Sequence, residues 1–179
     1  QTYKLPSRFV VGYLGCCTGP DKGLIYLLQA WKKLDYRDAT LLIGGRDSNS
    51  DFFVDLVIRY GGGNIYLMGW VDKLADFYNR ISLYCQPSVS EGFGIEVLEA
   101  MVHGRAVICS KGAGAVDVIP SSAMHFEPAD VDSLAALIDR SRTDWDLEDT
   151  GASAREIAGE YEWSKIRQRY VSLWKELLA

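Results

Sequence analysis

The chain has 179 residues, is 48% hydrophobic and 24% charged, and carries a formal net charge of −5. That is enough apolar material for one globular domain with its own core. An acidic balance with no run of Lys and Arg argues against a nucleic-acid partner, and no apolar run approaches the roughly 20 residues of a membrane span.

Residues 1–7 lack the pattern of a signal peptide and read as a linker entering a strand. RFVVGYLG (8–15) is a continuous β-type run. Residues 21–33 have helical spacing through Leu24, Leu27, Leu28 and Trp31. ATLLIGG (39–45) is the next strand, and an amphipathic helix follows over 51–60 until Gly61, Gly62 and Gly63 break it. Strands are expected over 64–70, 82–87, 106–110 and 122–127, and short helices over 72–80 and after Gly94. From Val131 the chain is almost wholly helical, and 163–178 forms the last helix.

Strands that are nearly all apolar and alternate with helices imply an α/β, doubly wound parallel sheet of about six strands, Rossmann-like and covered on both faces. Such sheets bind ligands beyond the carboxyl ends of their strands. The joints at 15–23, 44–50, 69–72, 87–94 and 110–114 all lie there and are expected to converge on one crevice.

The helix after Gly94 poses a physical question. On a wheel of about 100° per residue, Ile95, Leu98 and Val102 form an apolar stripe, Glu99 falls roughly 40° from Ile95, and Glu96 points further out. A carboxylate beside a buried stripe needs a hydrogen-bonding partner, whether side chain, water or ligand. Glu91, separated from Glu99 by seven residues, sits in the turn that precedes the helix. The free N–H groups of Gly92, Phe93 and Gly94 lie between the two acids. An anion could bind these donors while the two carboxylates accept from hydroxyls on either side, an arrangement that suits a sugar nucleotide. The alternative is a helix-start acid and a satisfied carboxylate at the edge of the core.

GCCTGPDKG (15–23) places glycines and Lys22 after the first strand, as in phosphate-binding turns, but matches neither a Walker loop nor G-x-G-x-x-G. A plain strand-to-helix turn with a solvated lysine fits it as well. The glycine-rich loop 111–119 reads either as another cradle of N–H groups or as a turn. Cys16, Cys17, Cys85 and Cys109 include no C-x-x-C pair, so no zinc site is expected. All four are expected to be reduced, as in a cytoplasmic protein.

The pattern P-S-x-x-E-G-F-G-x-x-x-x-E-A-M (87–101), followed by G-x-x-V-I (104–108), resembles the nucleotide-binding half of retaining GT-B glycosyltransferases of the family 4 type. LLIGG (41–45), NIYLMGWV (64–71), the Tyr78–Asn79 segment and FEPADVDSLAALI (126–138) are similar to that family too, so the resemblance covers nearly the whole chain. It implies the C-terminal half of a GT-B fold, with an N-terminal acceptor domain missing from this chain. In the family the first motif glutamate, here Glu91, contacts the donor sugar. The lysine, here Lys22, neutralises phosphate, and these two are the implied catalytic residues. Donor binding is implied for Glu99, which would hold the ribose hydroxyls, and for Gly92, Phe93, Gly94, Ile95, Val71 and Gly15. The base would lie near Trp70 and Val71.

The implied activity is transfer of a hexose from a UDP- or GDP-linked sugar, without metal or other cofactor. The acceptor would be a glycan or a lipid-linked molecule, and the full-length protein would be cytoplasmic, with room for peripheral membrane association. Three positions depart from the pattern. Cys17 stands where the family usually carries arginine, Ala106 where it carries proline, and Asp117 where it carries glutamate. Phosphate binding is then expected either to be weaker or to draw on Arg46 or Lys111 instead. Two other functions fit the pattern less well: a degenerate module that binds a nucleotide or a partner without catalysis, and a dehydrogenase-type fold, which lacks its fingerprint. The terminal helix is expected to pack on the sheet through Trp163, Ile166, Tyr170, Leu173, Trp174 and Leu177. The alternative is that part of it faces another half of the protein.

Overall fold

The structure, a computed structural model, describes residues 9–119, 121 and 124–178; the linker expected at 1–7 lies outside them. Among the described residues six strands form one sheet: β1 (Phe9–Leu14), β2 (Ala39–Gly44), β3 (Ile65–Leu67), β4 (Leu83–Gln86), β5 (Ala106–Ser110) and β6 (His125–Phe126). Their order is β3-β2-β1-β4-β5-β6, and every pairing is parallel. The helices are α1 (Leu24–Leu34), α2 (Asp51–Tyr60), α3 (Leu74–Tyr78), α4 (Ile95–Val102), α5 (Val131–Thr143), α6 (Leu147–Ala158) and α7 (Trp163–Leu177). The expected doubly wound α/β fold is what forms.

Alternating side chains split the core into two layers. Val11, Tyr13, Leu41, Ile43, Leu83, Cys85, Ala106 and Ile108 meet α1, α2 and α5 on one face. Val10, Leu14, Leu42, Tyr84, Val107 and Cys109 meet α3, α4 and α6 on the other. Both faces are dry, so the strands read as unbroken apolar runs. Ser50, Asp130 and Asp146 cap α2, α5 and α6, each accepting from backbone N–H groups of the first turn.

Several boundaries differ from the sequence reading. The helix expected from residue 21 begins at Leu24, because Pro20–Lys22 forms a 3-10 turn and Gly23 adopts φ +67°. The strand expected over 64–70 pairs only at Ile65–Leu67, where Leu41, Leu42 and Ile43 offer partners.

The apolar face of α4 is also different. Val97, Ala100 and Met101 are buried, whereas Ile95 and Val102 are more than half exposed. The helix packs against β5 and α6 through its small residues rather than through the Ile95 stripe. Gly151 of α6 lies so close that a Cβ there would stand 2.1 Å from the Gly104 carbonyl oxygen.

The terminal helix overturns its packing expectation outright. α7 buries none of its residues, and Trp163, Tyr170, Leu173, Trp174 and Leu177 are all exposed. The α1, α2 and α5 layer and the α3, α4 and α6 layer already cover both faces of the sheet, so no sheet surface remains for α7.

Gly23 links fold to site. A Cβ at Gly23 would sit 1.9 Å from the Pro87 carbonyl oxygen, so only glycine lets the loop after β1 lie against the loop after β4. A Gly23→Ala variant is expected to lose at least about 2 kcal/mol, from the left-handed backbone and the clash together. Urea unfolding should show a lower midpoint at unchanged slope. An unchanged midpoint would mean that the two loops do not meet.

Candidate functional site

Strand order reverses between β1 and β4, which pair through Val11 with Leu83 and Gly12 with Tyr84. The chain leaves β1 toward α1 on one face and leaves β4 toward α4 on the other, so a crevice opens between their carboxyl ends. Backbone bonds tie the loops around it together. Val89 N donates to Asp21 O at 2.7 Å, Glu91 N to Gly112 O at 2.9 Å, Gly45 N to Gly69 O at 2.8 Å, and Cys17 N to Arg46 O at 3.0 Å. Gly45, at φ +109°, lets the loop after β2 approach Gly15, whose carbonyl oxygen would stand 2.1 Å from a Cβ there.

The crevice encloses about 370 Å³ and is lined by Leu14, Gly15, Cys16, Lys22, Gly45, Arg46, Trp70, Val71, Leu74, Ile95, Glu96 and Glu99. Among the expected site residues, Gly15, Lys22, Val71, Ile95 and Glu99 therefore line one cavity. Glu91 reaches it through Lys22, whose ammonium donates to Glu91 Oε2. Gly92, Phe93 and Gly94 do not line the cavity. Gly92 and Phe93 are exposed, and Gly94 is buried at the start of α4. A more voluminous, open groove of about 500 Å³ follows α7 past Lys165, Arg169 and Leu173. No strand end or converging loop borders that groove, so the crevice is the better candidate.

The partner that Glu99 requires is Tyr78. The buried Tyr78 hydroxyl donates to Glu99 Oε2 at 2.8 Å and lies 3.2 Å from the Glu96 carbonyl oxygen. Its ring stacks on His103 with centroids 4.9 Å apart. Burial first, then the Glu99 charge and hydrogen bond, push the phenol far above its usual range, so it stays a donor. Beneath the crevice, the Tyr84 hydroxyl bonds Gln86 Oε1 at 2.9 Å, and Gln86 Nε2 donates to Ser88 Oγ at 2.8 Å. These buried polar groups are satisfied and stiffen the end of β4.

Lys22 feels opposing influences. Burial draws its ammonium down, but the hydrogen bond and charge of Glu91 outweigh it, and the net shift is upward. α4 starts without a side-chain cap, at Gly94 with φ +90°. Glu96, in the first turn of α4, brings its carboxylate to the crevice. Burial holds the Glu96 carboxyl above the usual carboxylate range, partly offset by the nearby backbone N–H and by Lys22. The expectation that Glu96 points outward is thus corrected. With the stripe moved to Val97, Ala100 and Met101, the first turn of α4 rotates Glu96 into the crevice. The sequence signal that identifies it is an acid in the first turn of a helix opened by glycines.

The departures resolve as well. Cys17 is a core residue, with burial raising its thiol to about 12, and does not line the crevice. Arg46 lines the crevice, whereas Lys111 pairs with Glu127 at 2.5 Å. Among the described residues the cysteines are free: Cys17, Cys85 and Cys109 buried, and Cys16 half-buried on the crevice wall. Among them, too, no three His, Cys, Asp or Glu side chains are grouped to hold a metal ion, and no helix is long and apolar enough to cross a membrane.

Residues 8–144 match the sequence pattern of glycosyl transferases group 1. The chain is 30% identical over 162 residues to an uncharacterized glycosyltransferase of Methanocaldococcus jannaschii, covering 86% of this chain and 42% of that protein. It is 30% identical over 186 residues to O-antigen chain mannosyltransferase B of Escherichia coli, covering 99% of this chain and 48% of that protein. The chain thus spans about half the length of these relatives. The fold is shared with the Anabaena HepE protein, solved in complex with UDP and glucose, at a TM-score of 0.81 and 20% identity; the match covers 94% of this chain and 48% of that one.

Removing the Tyr78 hydroxyl tests the support of Glu99. A Tyr78→Phe variant is expected to lose about 1 kcal/mol, one net hydrogen bond, read as a lower urea midpoint. A variant as stable as the parent would mean that the phenol does not hold the carboxylate.

Proposed function

Since the chain belongs to the glycosyl transferases group 1 family, we propose that its crevice binds the nucleotide-sugar donor of a retaining glycosyltransferase. The complete protein would transfer a hexose from a UDP- or GDP-linked sugar to a glycan or lipid-linked acceptor held by a second domain. The observation that carries this reading is the convergence of Lys22, Glu91 and Glu99 around one crevice at the strand-order reversal. The HepE protein, which shares the fold, was solved with UDP and glucose, which supports the same kind of ligand here.

In this reading the nucleotide lies along the strand ends. Glu99, held by Tyr78, accepts from the two ribose hydroxyls in charge-assisted bonds. Trp70, 69% exposed beside Val71 and Leu74, offers the base an apolar surface. The diphosphate reaches Lys22, and the ammonium then divides its bonds between phosphate and Glu91. As the bond from the anomeric carbon to the diphosphate oxygen breaks, negative charge grows on that oxygen. Lys22, fixed and partly shielded from water, stabilises this charge more than it does in the ground state. Glu91, relieved of part of its ion pair, accepts from hydroxyls of the sugar. The acceptor approaches from the open side of the crevice, where Ile95 and the Gly92–Phe93 turn are exposed.

Calorimetry with UDP, GDP and ADP tests the reading. One nucleotide is expected to bind at millimolar affinity or better, and Glu99→Ala should weaken it about ten- to a hundredfold, the worth of charge-assisted bonds at roughly 1.5–3 kcal/mol. Equal affinity in parent and variant would remove Glu99 from the site. Tight binding without sugar transfer in the full-length protein would mark a binding module instead.

A further inference from the structure

Glu96 is the acidic group of the crevice that this reading leaves without a task. Its Oε1 would stand 3.7 Å from a Cβ built on Gly15, so its carboxylate reaches across from α4 to the end of β1. It senses Lys22 as an attractive charge and Glu91 and Glu99 as repulsive ones. It lines the same crevice as Glu99, the carboxylate assigned to the ribose, and Lys22, the lysine assigned to phosphate. Its place in the first turn of α4, which carries no side-chain cap, sets a negative charge near the end of the helix that would otherwise attract an anion. Of the charges around the crevice, Lys22 and Arg46 face Glu91, Glu96 and Glu99, and Lys22 is itself paired with Glu91. A phosphoryl oxygen arriving there meets a partly desolvated negative charge, and such repulsion is screened less than at an open surface.

We propose that Glu96 is a specificity-determining residue that favours the nucleotide diphospho-sugar over the free nucleoside diphosphate. The inference rests on the reading of the crevice as a donor site. In the sugar-bearing ligand each phosphate has one ester and one anhydride bond and carries one negative charge. Once the sugar leaves, the terminal phosphate gains an ionisable oxygen whose proton is lost near pH 6. The free diphosphate thus carries about one more negative charge above neutral pH, beside Glu96. Repulsion weakens both ligands but weakens the spent one more, so the site prefers donor and sheds product.

The test is the ratio of dissociation constants, free diphosphate over sugar-bearing ligand, measured by calorimetry at pH 8. The ligand pairs are UDP with UDP-glucose and GDP with GDP-mannose. Glu96→Gln should lower the ratio about three- to tenfold, the range of one screened charge pair. Glu96→Asp, which keeps the charge, should stay near the parent, and thermal unfolding of each variant confirms its fold. An unchanged ratio in a folded Glu96→Gln protein that still binds both ligands overturns this inference and leaves the donor-site reading standing. A folded variant that loses both ligands makes Glu96 a binding group and also overturns it. Failure of the parent to bind any of the four ligands overturns the donor-site reading, and this inference with it.

Discussion

The Lys22–Glu91 ion pair is the interaction around which the site is organised. Its two members come from the loops after β1 and β4, strands that are neighbours in space and far apart in sequence. The pair forms because the strand order reverses there and because Gly23 lets one loop rest on the other. The bonds from Val89 and Ser90 to the Asp21 carbonyl set the distance between the loops. Neither charge is fully buried, so the pair remains exchangeable: an anionic ligand can take over part of the lysine without leaving an unpaired charge in the core.

The remaining crevice chemistry is graded around that pair. Toward α3, Glu99 is fixed by a phenol whose own position is fixed by His103 and the core. Toward β1, the Tyr13 hydroxyl donates to the Cys16 carbonyl at 3.0 Å and holds the first loop in place. Toward the loop after β2, Arg46 supplies a second cation and its backbone binds Cys17. Cys17 belongs to the core, and the cations of the crevice are Lys22 of the loop after β1 and Arg46 of the loop after β2.

The fold was legible because the strands are apolar on both faces and short loops separate them from helices. The convergence of loops follows from parallel topology alone. Glu99 was legible as a carboxylate needing a partner, but the partner was not, because Tyr78 lies 21 residues away and packing decides which residue it meets. Helix phase was the main loss. Ile95 and Val102 look like core residues on a wheel, and only contact of Ala100 and Met101 with β5 and α6 reveals that they are not. That error also hid Glu96. α7 misled for a related reason: its apolar spacing marks a face, and spacing alone does not say what covers it.

Backbone amide NMR shifts during titration with UDP and with GDP test most directly whether this crevice is the ligand site. The largest shifts are expected at Gly15, Lys22, Val71, Glu96 and Glu99, saturating together with one binding constant. Shifts confined to α7 around Arg169 and Leu173, with the crevice amides unmoved, would contradict it.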